Sequence, residues 1–190
     1  MENYLHARLN LKKMFNMQVG LLICTILNLF PFISAIAAIA TLIMSIIYII
    51  ALYNVGRDIS GCHTAFILNI ATIILNIFSA VTAALPVFPI VFSIAAGFTS
   101  IGSIYFICTS LSEFLNAHNF GDDAKFGSVT WIVYIVCSLI NIVIGILSYA
   151  IFTNTGLLVV LTLVCTVSQL CSLIFFLLFL SKVCEDFNTF

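Results

Sequence analysis

Two long apolar runs are separated by one short polar stretch, Tyr53-Asn54-Val55-Gly56-Arg57-Asp58-Ile59-Ser60-Gly61-Cys62-His63-Thr64. The stretch carries an adjacent pair of opposite charges, two glycines and a Cys-His step. Charged side chains are costly inside hydrocarbon, so a pair of them between apolar runs marks a membrane boundary. The position of this pair relative to the other charges predicts how the whole chain is arranged.

The composition predicts a protein that lies in a lipid bilayer. The chain has 190 residues, of which 63% are hydrophobic and 7% are charged, and its mean hydropathy is +1.28. A soluble domain has about 25% charged residues. A globule of this size has no way to hide so much apolar surface from water, so its solvent must be lipid. The net charge of -1 excludes the basic surface that nucleic acid binding requires.

The charged residues fall into four islands along the chain. The islands are Glu2, Arg8, Lys12 and Lys13; Arg57 and Asp58; Glu113, Asp122, Asp123 and Lys125; and Lys182, Glu185 and Asp186. The stretches between islands have 43, 54 and 56 residues. Because one helical crossing takes about 20 residues, each stretch is long enough to cross the bilayer twice.

Helix-breaking residues near the middle of each stretch support two crossings. Proline removes a backbone donor, and Asn and Gly suit turns. The breaks are Pro31, then Pro86 and Pro89, then Thr153-Asn154-Thr155-Gly156. The sequence therefore predicts an all-α polytopic membrane protein, a single transmembrane domain over 1–190 with six helices in three hairpins. The predicted hairpins are 14–54 (14–30 with 33–54), 64–112 (64–84 with 89–112) and 129–181 (129–151 with 157–181). One long tilted or kinked span is an alternative for the first hairpin.

Six crossings would place all four charged islands on one side of the membrane. All six Lys and Arg residues then lie on that side, in short connections where the positive-inside rule applies. We therefore expect a multi-pass protein of the cell membrane with both termini in the cytoplasm. The longest connection is expected to be a cytoplasmic loop from Asn116 to Ser128.

Three asparagines inside the apolar stretches are the candidate ligand-binding residues. Asn28, Asn76 and Asn141 lie 15, 18 and 16 residues beyond the last charge of the preceding island, each with a small polar residue four positions earlier. This similarity suggests a triplicated hairpin, and three amides at one depth are suited to converge on a solute. The alternative is that they hydrogen-bond neighbouring helices, which polar residues in membranes commonly do.

Other motifs give less specific indications. Small residues four apart, such as Ser93-x-x-x-Gly97, favour close helix packing within the chain or against a partner subunit. Cys62-His63, with Asp58 to orient the base, is a conceivable nucleophile and base, although neighbouring residues rarely turn their tips together. None of the seven cysteines forms a C-x-x-C pair, so we expect no metal and no cofactor.

We therefore expect an integral membrane protein, non-enzymatic, that acts as a small-solute transport subunit or as an accessory membrane subunit. The absence of charge within the spans argues against a proton-coupled pump. The alternatives are a homo-oligomeric channel or pore, and an intramembrane enzyme that uses Cys62 and His63. Expected partners are the lipid bilayer and either a partner membrane subunit or further copies of the chain, and not nucleic acid.

Overall fold

The part of the chain that the structure describes folds into six α-helices. A computed structural model describes residues 2–27, 30, 32–82, 87–150 and 155–187, with side chains from residue 6 onward except 148–150 and 155. The helices are α1 (Glu2–Leu27), α2 (Ser34–Asp58), α3 (Ser60–Val81), α4 (Phe88–Ala117), α5 (Gly121–Ala150) and α6 (Thr155–Asp186). The described residues contain no strand, so the prediction of an all-α fold with six helices is confirmed.

The helices end close to the predicted breaks. Pro89 lies in the first turn of α4, where a missing backbone donor costs nothing. Pro31, Pro86 and Thr153-Asn154 fall in the gaps between α1 and α2, between α3 and α4, and between α5 and α6, whereas Thr155-Gly156 opens α6. Local chain chemistry therefore fixes where the long apolar stretches divide.

The connections at the charged islands are much shorter than predicted. Between α2 and α3 only Ile59 leaves the helical conformation, with φ of -125° and ψ of 103°. The loop predicted from Asn116 to Ser128 is wrong, because α4 continues to Ala117 and α5 begins at Gly121. Asn119 makes this turn in the left-handed region, with φ of 69°. Most of the charged residues therefore lie on helix ends, which satisfy their backbone groups better than an open loop does.

Five of the helices, α2 to α6, are long and apolar enough to cross a membrane. They indicate a multi-pass membrane protein. Helix α1 is different, because its first half carries the whole of the first charged island and it begins at Glu2 instead of the predicted residue 14. Its uncharged part, 14–27, is about 21 Å long at about 1.5 Å per residue, which is shorter than a bilayer core of about 30 Å.

The helix ends that carry the charged islands meet at one end of the bundle, which we call the charged end. Helix α1 packs against α2 and α6, and each later helix packs against the next one along the chain. His6 of α1 lies 3.4 Å from Asp58 at the end of α2. An ion pair joins Lys182 of α6 to Asp123 of α5. The rings of Phe114 and Phe187 stack at 4.6 Å and bring the end of α4 to the end of α6.

The hydrophobic core lies in the half of the bundle next to the charged end. Its largest fully buried side chains come from α1, α2, α4 and α6 and include Leu11, Leu52, Ile107 and Phe179. The opposite half is more open, since Phe32 at the start of α2 is 97% exposed and Val81 at the end of α3 is 76% exposed. Packed side chains thus close the bundle near the charged end.

Candidate functional site

A cleft of about 360 Å³ lies between α4, α5 and α6. Helix α5 supplies its most polar wall through Tyr134, Ser138, Asn141 and Gly145. These residues follow one another at intervals of four, three and four, so they share one face of the helix. Asn141 lies 16 residues beyond Lys125, or about 24 Å along the helix, well inside the apolar part of the bundle.

The neighbouring helices complete the cleft. Helix α4 contributes Ser93, Gly97 and Ser100, which again share one helical face, and α6 contributes Gln169 and Ser172. An ideal Cβ on Gly145 would meet no atom within 4 Å, so the cleft is open in front of that residue. The site is therefore a concave surface with several uncharged polar groups, as small-molecule sites commonly are.

Most hydroxyl groups of the cleft are engaged within the protein. The hydroxyls of Ser100 and Tyr134 lie 2.8 Å apart, and Tyr134 also hydrogen-bonds Ser138. Ser172 donates to the backbone carbonyl of Gln169 at 2.9 Å. These hydrogen bonds hold the side chains of the serines and of Tyr134 in place along the wall of the cleft.

The side chain of Asn141 differs from these hydroxyls. Its Oδ1 atom is buried and has no hydrogen-bond partner among the described residues. By contrast, Asn69 of α3 donates to the carbonyl of Ala65 at 3.2 Å and also to the hydroxyl of Ser103 on α4. A buried amide group without a partner costs free energy, and Asn141 therefore presents an unmet hydrogen-bonding requirement at the wall of the cleft.

Asn76 does not line this cleft. Asn76 is exposed on α3, and Asn28 falls outside the residues that the structure describes. The structure thus places Asn141 in a cavity and Asn76 outside it, and a ligand contact at Asn28 or Asn76 stays a prediction.

The Cys62-His63 step does not assemble a catalytic pair. Cys62 is fully buried in the core, whereas His63 is exposed and packs beside the rings of Tyr53 and Phe66. Asp58 faces His6 on α1. The thiol and the imidazole therefore point to different environments, as consecutive helical residues do.

The carboxylates at the start of α5 pair with lysines. Asp122 accepts from Lys125 at 3.0 Å, and Asp123 pairs with Lys182. Within the described part of the chain there is no group of three His, Cys, Asp or Glu side chains that could hold a metal ion.

Small and polar residues of α4 join it to α3. The hydroxyls of Thr99 and Thr72 lie 2.8 Å apart, and Ser103 donates to the carbonyl of Ala65 at 3.1 Å. Ser93-x-x-x-Gly97 also packs within the chain, since Ser93 lies 2.9 Å from the hydroxyl of Ser79 on α3 and Gly97 lies close to Ile142 on α5, and both residues line the cleft as well. The sequence left two uses open for the small residues, packing within the chain and contact with a partner subunit. Thr99 and Ser103 pack within the chain.

Sequence reasoning missed Tyr134, Ser138, Ser100, Gln169 and Ser172 as parts of the site. The signal that identifies the first two is the polar stripe at helical spacing that ends in Asn141 and Gly145. The contribution of α6 has no such signal, because Gln169 and Ser172 lie among apolar residues without a repeating pattern.

Comparison of the chain with protein-family models, with curated proteins and with solved structures finds no match. The function is therefore argued from the cleft and from the way the bundle is closed around it.

Proposed function

We propose that the protein is a multi-pass cell-membrane protein that binds a small neutral solute in the cleft between α4, α5 and α6, as a transport or accessory subunit. The observation that carries the proposal is the buried Oδ1 atom of Asn141, which has no partner among the described residues. Polar groups buried at membrane depth are expensive, and those that persist without a partner commonly serve a ligand.

The walls of the cleft favour a neutral solute. None of the described residues that line it is Asp, Glu, Lys, Arg or His. A charged ligand would lie in a low-dielectric region without an opposite charge, which is strongly unfavourable. The volume of about 360 Å³ falls at the lower end of the range of about 300–1,000 Å³ for small-molecule sites.

The membrane arrangement that we propose has six crossings in three hairpins with both termini in the cytoplasm. Its support is the meeting of all four charged islands at the charged end, where all Lys and Arg residues lie. In this arrangement α1 lies alongside α2, since Asn10 and Asn54 are in hydrogen-bonding contact at 3.5 Å, and its charged first turns lie in the cytoplasm. Its uncharged part, about 21 Å long, crosses where the bilayer thins locally. The solute would then reach the cleft from outside the cell or from the bilayer, because the core closes the cytoplasmic end.

This orientation predicts opposite labelling of two surface positions. Val87 is 62% exposed at the start of α4, and the side chain of Asp122 is 99% exposed at the charged end. In intact cells, a membrane-impermeant maleimide is expected to label Val87→Cys but to label Asp122→Cys only after permeabilisation. The unmodified chain gives the background from its own cysteines. Labelling of Asp122→Cys alone in intact cells would show the reverse orientation.

Filling the cleft tests binding directly. Gly145 has open space in front of it, so both Gly145→Ala and Gly145→Phe are expected to fold, and the phenyl ring of the latter takes up part of the cleft. Small molecules released from purified protein by denaturation are identified by mass spectrometry. We expect a neutral compound that co-purifies with the unmodified protein and with Gly145→Ala, and is reduced about tenfold or more in Gly145→Phe, since lost contacts of about 1.4 kcal/mol already give that factor.

Equal thermal stability of the two Gly145 variants is the control for that comparison. The proposal fails if the same compounds co-purify with all three proteins in equal amounts, or if an experimental density map shows only a lipid acyl chain in the cleft.

The two alternative functions have less support from the contacts. A pore would have to run between protomers, because fully buried side chains such as Leu111, Phe179 and Leu180 close the charged end of a single one. An enzyme using Cys62 and His63 would need the two side chains to turn towards each other, and they lie in the core and on the surface respectively.

A further inference from the structure

The cleft also indicates which chemical group its ligand carries. Resting on the proposed function, we infer that the ligand presents a neutral amide-like group, an N–H donor beside a carbonyl acceptor, to the side chain of Asn141. Primary amides, lactams and ureas share this group. The inference follows from which hydrogen-bonding groups of the cleft are already engaged.

The carboxamide of Asn141 has no hydrogen-bond partner at either edge among the described residues, and a ligand pairs with both edges when the side chain turns its buried Oδ1 atom towards the cleft. No described residue forms a hydrogen bond with its Oδ1 or with its Nδ2 atom, whereas the amide of Asn69 is engaged between α3 and α4. A carboxamide offers one acceptor and two donors side by side. A neutral amide satisfies both edges at once, through two parallel hydrogen bonds.

The hydroxyls of the cleft do not offer an equivalent group. Ser79 of α3 donates to the carbonyl of Pro89 at 3.1 Å, so the bond of 2.9 Å between Ser79 and Ser93 uses the proton of Ser93. The proton of Ser172 goes to a backbone carbonyl. Ser100 and Ser138 are both bonded to Tyr134. Two amides therefore remain in the wall, and of these Gln169 belongs to an exposed residue, whereas Asn141 is partly buried with an unpartnered Oδ1 atom and is the one that we assign to selecting a ligand.

The apolar residues of the wall indicate the character of the remainder of the ligand. Ile90, Ile94, Ile142 and Ile146 line the cleft around the polar stripe. Apolar walls of this kind stabilise an apolar body by removing its surface from water or from the headgroup region. The expected ligand is thus a small apolar molecule with one amide-like end.

A matched pair of probes tests the amide requirement. Benzamide and acetophenone have the same ring and carbonyl and nearly the same size, but the NH₂ group of the first is a methyl group in the second. Binding to the protein in nanodiscs is measured by saturation-transfer NMR, with empty nanodiscs as the reference for partition into lipid. We expect the unmodified protein to bind benzamide about tenfold or more tightly than acetophenone, because acetophenone leaves the Oδ1 atom unpaired.

Two variants test whether Asn141 causes the preference for benzamide over acetophenone. Asn141→Leu is expected to reduce the ratio of the two affinities to about one, since neither amide edge remains. Asn76→Leu removes an exposed asparagine that does not line the cleft, and it is expected to keep the full preference.

The outcomes separate this inference from the proposed function. Equal binding of the two probes that Gly145→Phe abolishes would overturn the amide requirement and leave a solute site in place. A preference for benzamide that persists in Asn141→Leu would overturn the role of Asn141. Binding of neither probe above the empty nanodisc would overturn the inference and count against the proposed site as well.

Discussion

Replacing Gly56 by alanine is expected to destabilise the protein by about 1–3 kcal/mol, the usual cost of forcing an extra group into a packed site. An ideal Cβ at this position would lie 2.7 Å from the backbone nitrogen of His63 and 2.8 Å from its Cα atom. Backbone atoms of α3 have less freedom to move aside than the tip of a side chain. Gly56 is also buried, in the last turns of α2, so the added methyl group has no route towards solvent.

The measurement is the midpoint of thermal unfolding in detergent, followed by intrinsic fluorescence or by loss of the monodisperse peak on size exclusion. Gly145→Ala is the matched control, because the same substitution there meets no atom within 4 Å. Since alanine is also the better helix former, the control is expected to be neutral or slightly stabilising. A Gly56→Ala protein as stable as the control would show that α2 and α3 are not in close contact at this corner.

The close contact at Gly56 was not predictable from the sequence. Arg57 and Asp58 correctly marked a boundary between apolar runs, because the cost of charge in hydrocarbon depends on residue type alone. Only Ile59 separates α2 from α3. A connection this short depends on how closely the two backbones approach. Such an approach is set by packing across the corner and leaves no periodic signal in the sequence.

The candidate site, too, was predictable from the sequence only in part. The sequence identified Asn141 as a polar group at membrane depth, and the structure places it in the cleft. Asn76 has an equivalent position in the pattern and is exposed. The pairs Thr72 with Thr99 and Ser79 with Ser93 set a register that places residues 95–96 opposite Asn76, and these are alanines that cover little of a neighbouring side chain. The residue that faces a polar side chain depends on the rotation and register of the neighbouring helix. The spacing of residues within one helix carries no information about either.

Replacing Asn141 by leucine is expected to raise the stability of the ligand-free protein by about 1 kcal/mol. The Oδ1 atom of Asn141 is buried without a partner among the described residues, and an unsatisfied buried polar group costs about 1–3 kcal/mol. Leucine has a similar volume and places apolar atoms against the isoleucines of the cleft. Thermal unfolding of protein freed of co-purified compounds is the measurement. We expect that asparagine occupies this position because it serves binding, at a cost in stability.

Asn69→Leu is the matched control and is expected to have the opposite sign. Asn69 lies in α3 and donates both to Ser103 and to the carbonyl of Ala65, so its loss removes a bond that joins α3 to α4. Hydrogen bonds between membrane helices contribute about 0.6 kcal/mol on average and up to about 1.7 kcal/mol. Because both variants exchange an amide for the same apolar side chain, a general effect of hydrophobicity would shift both in one direction. If Asn141→Leu destabilises as Asn69→Leu does, Asn141 holds helices together and the cleft loses its strongest indication of a ligand.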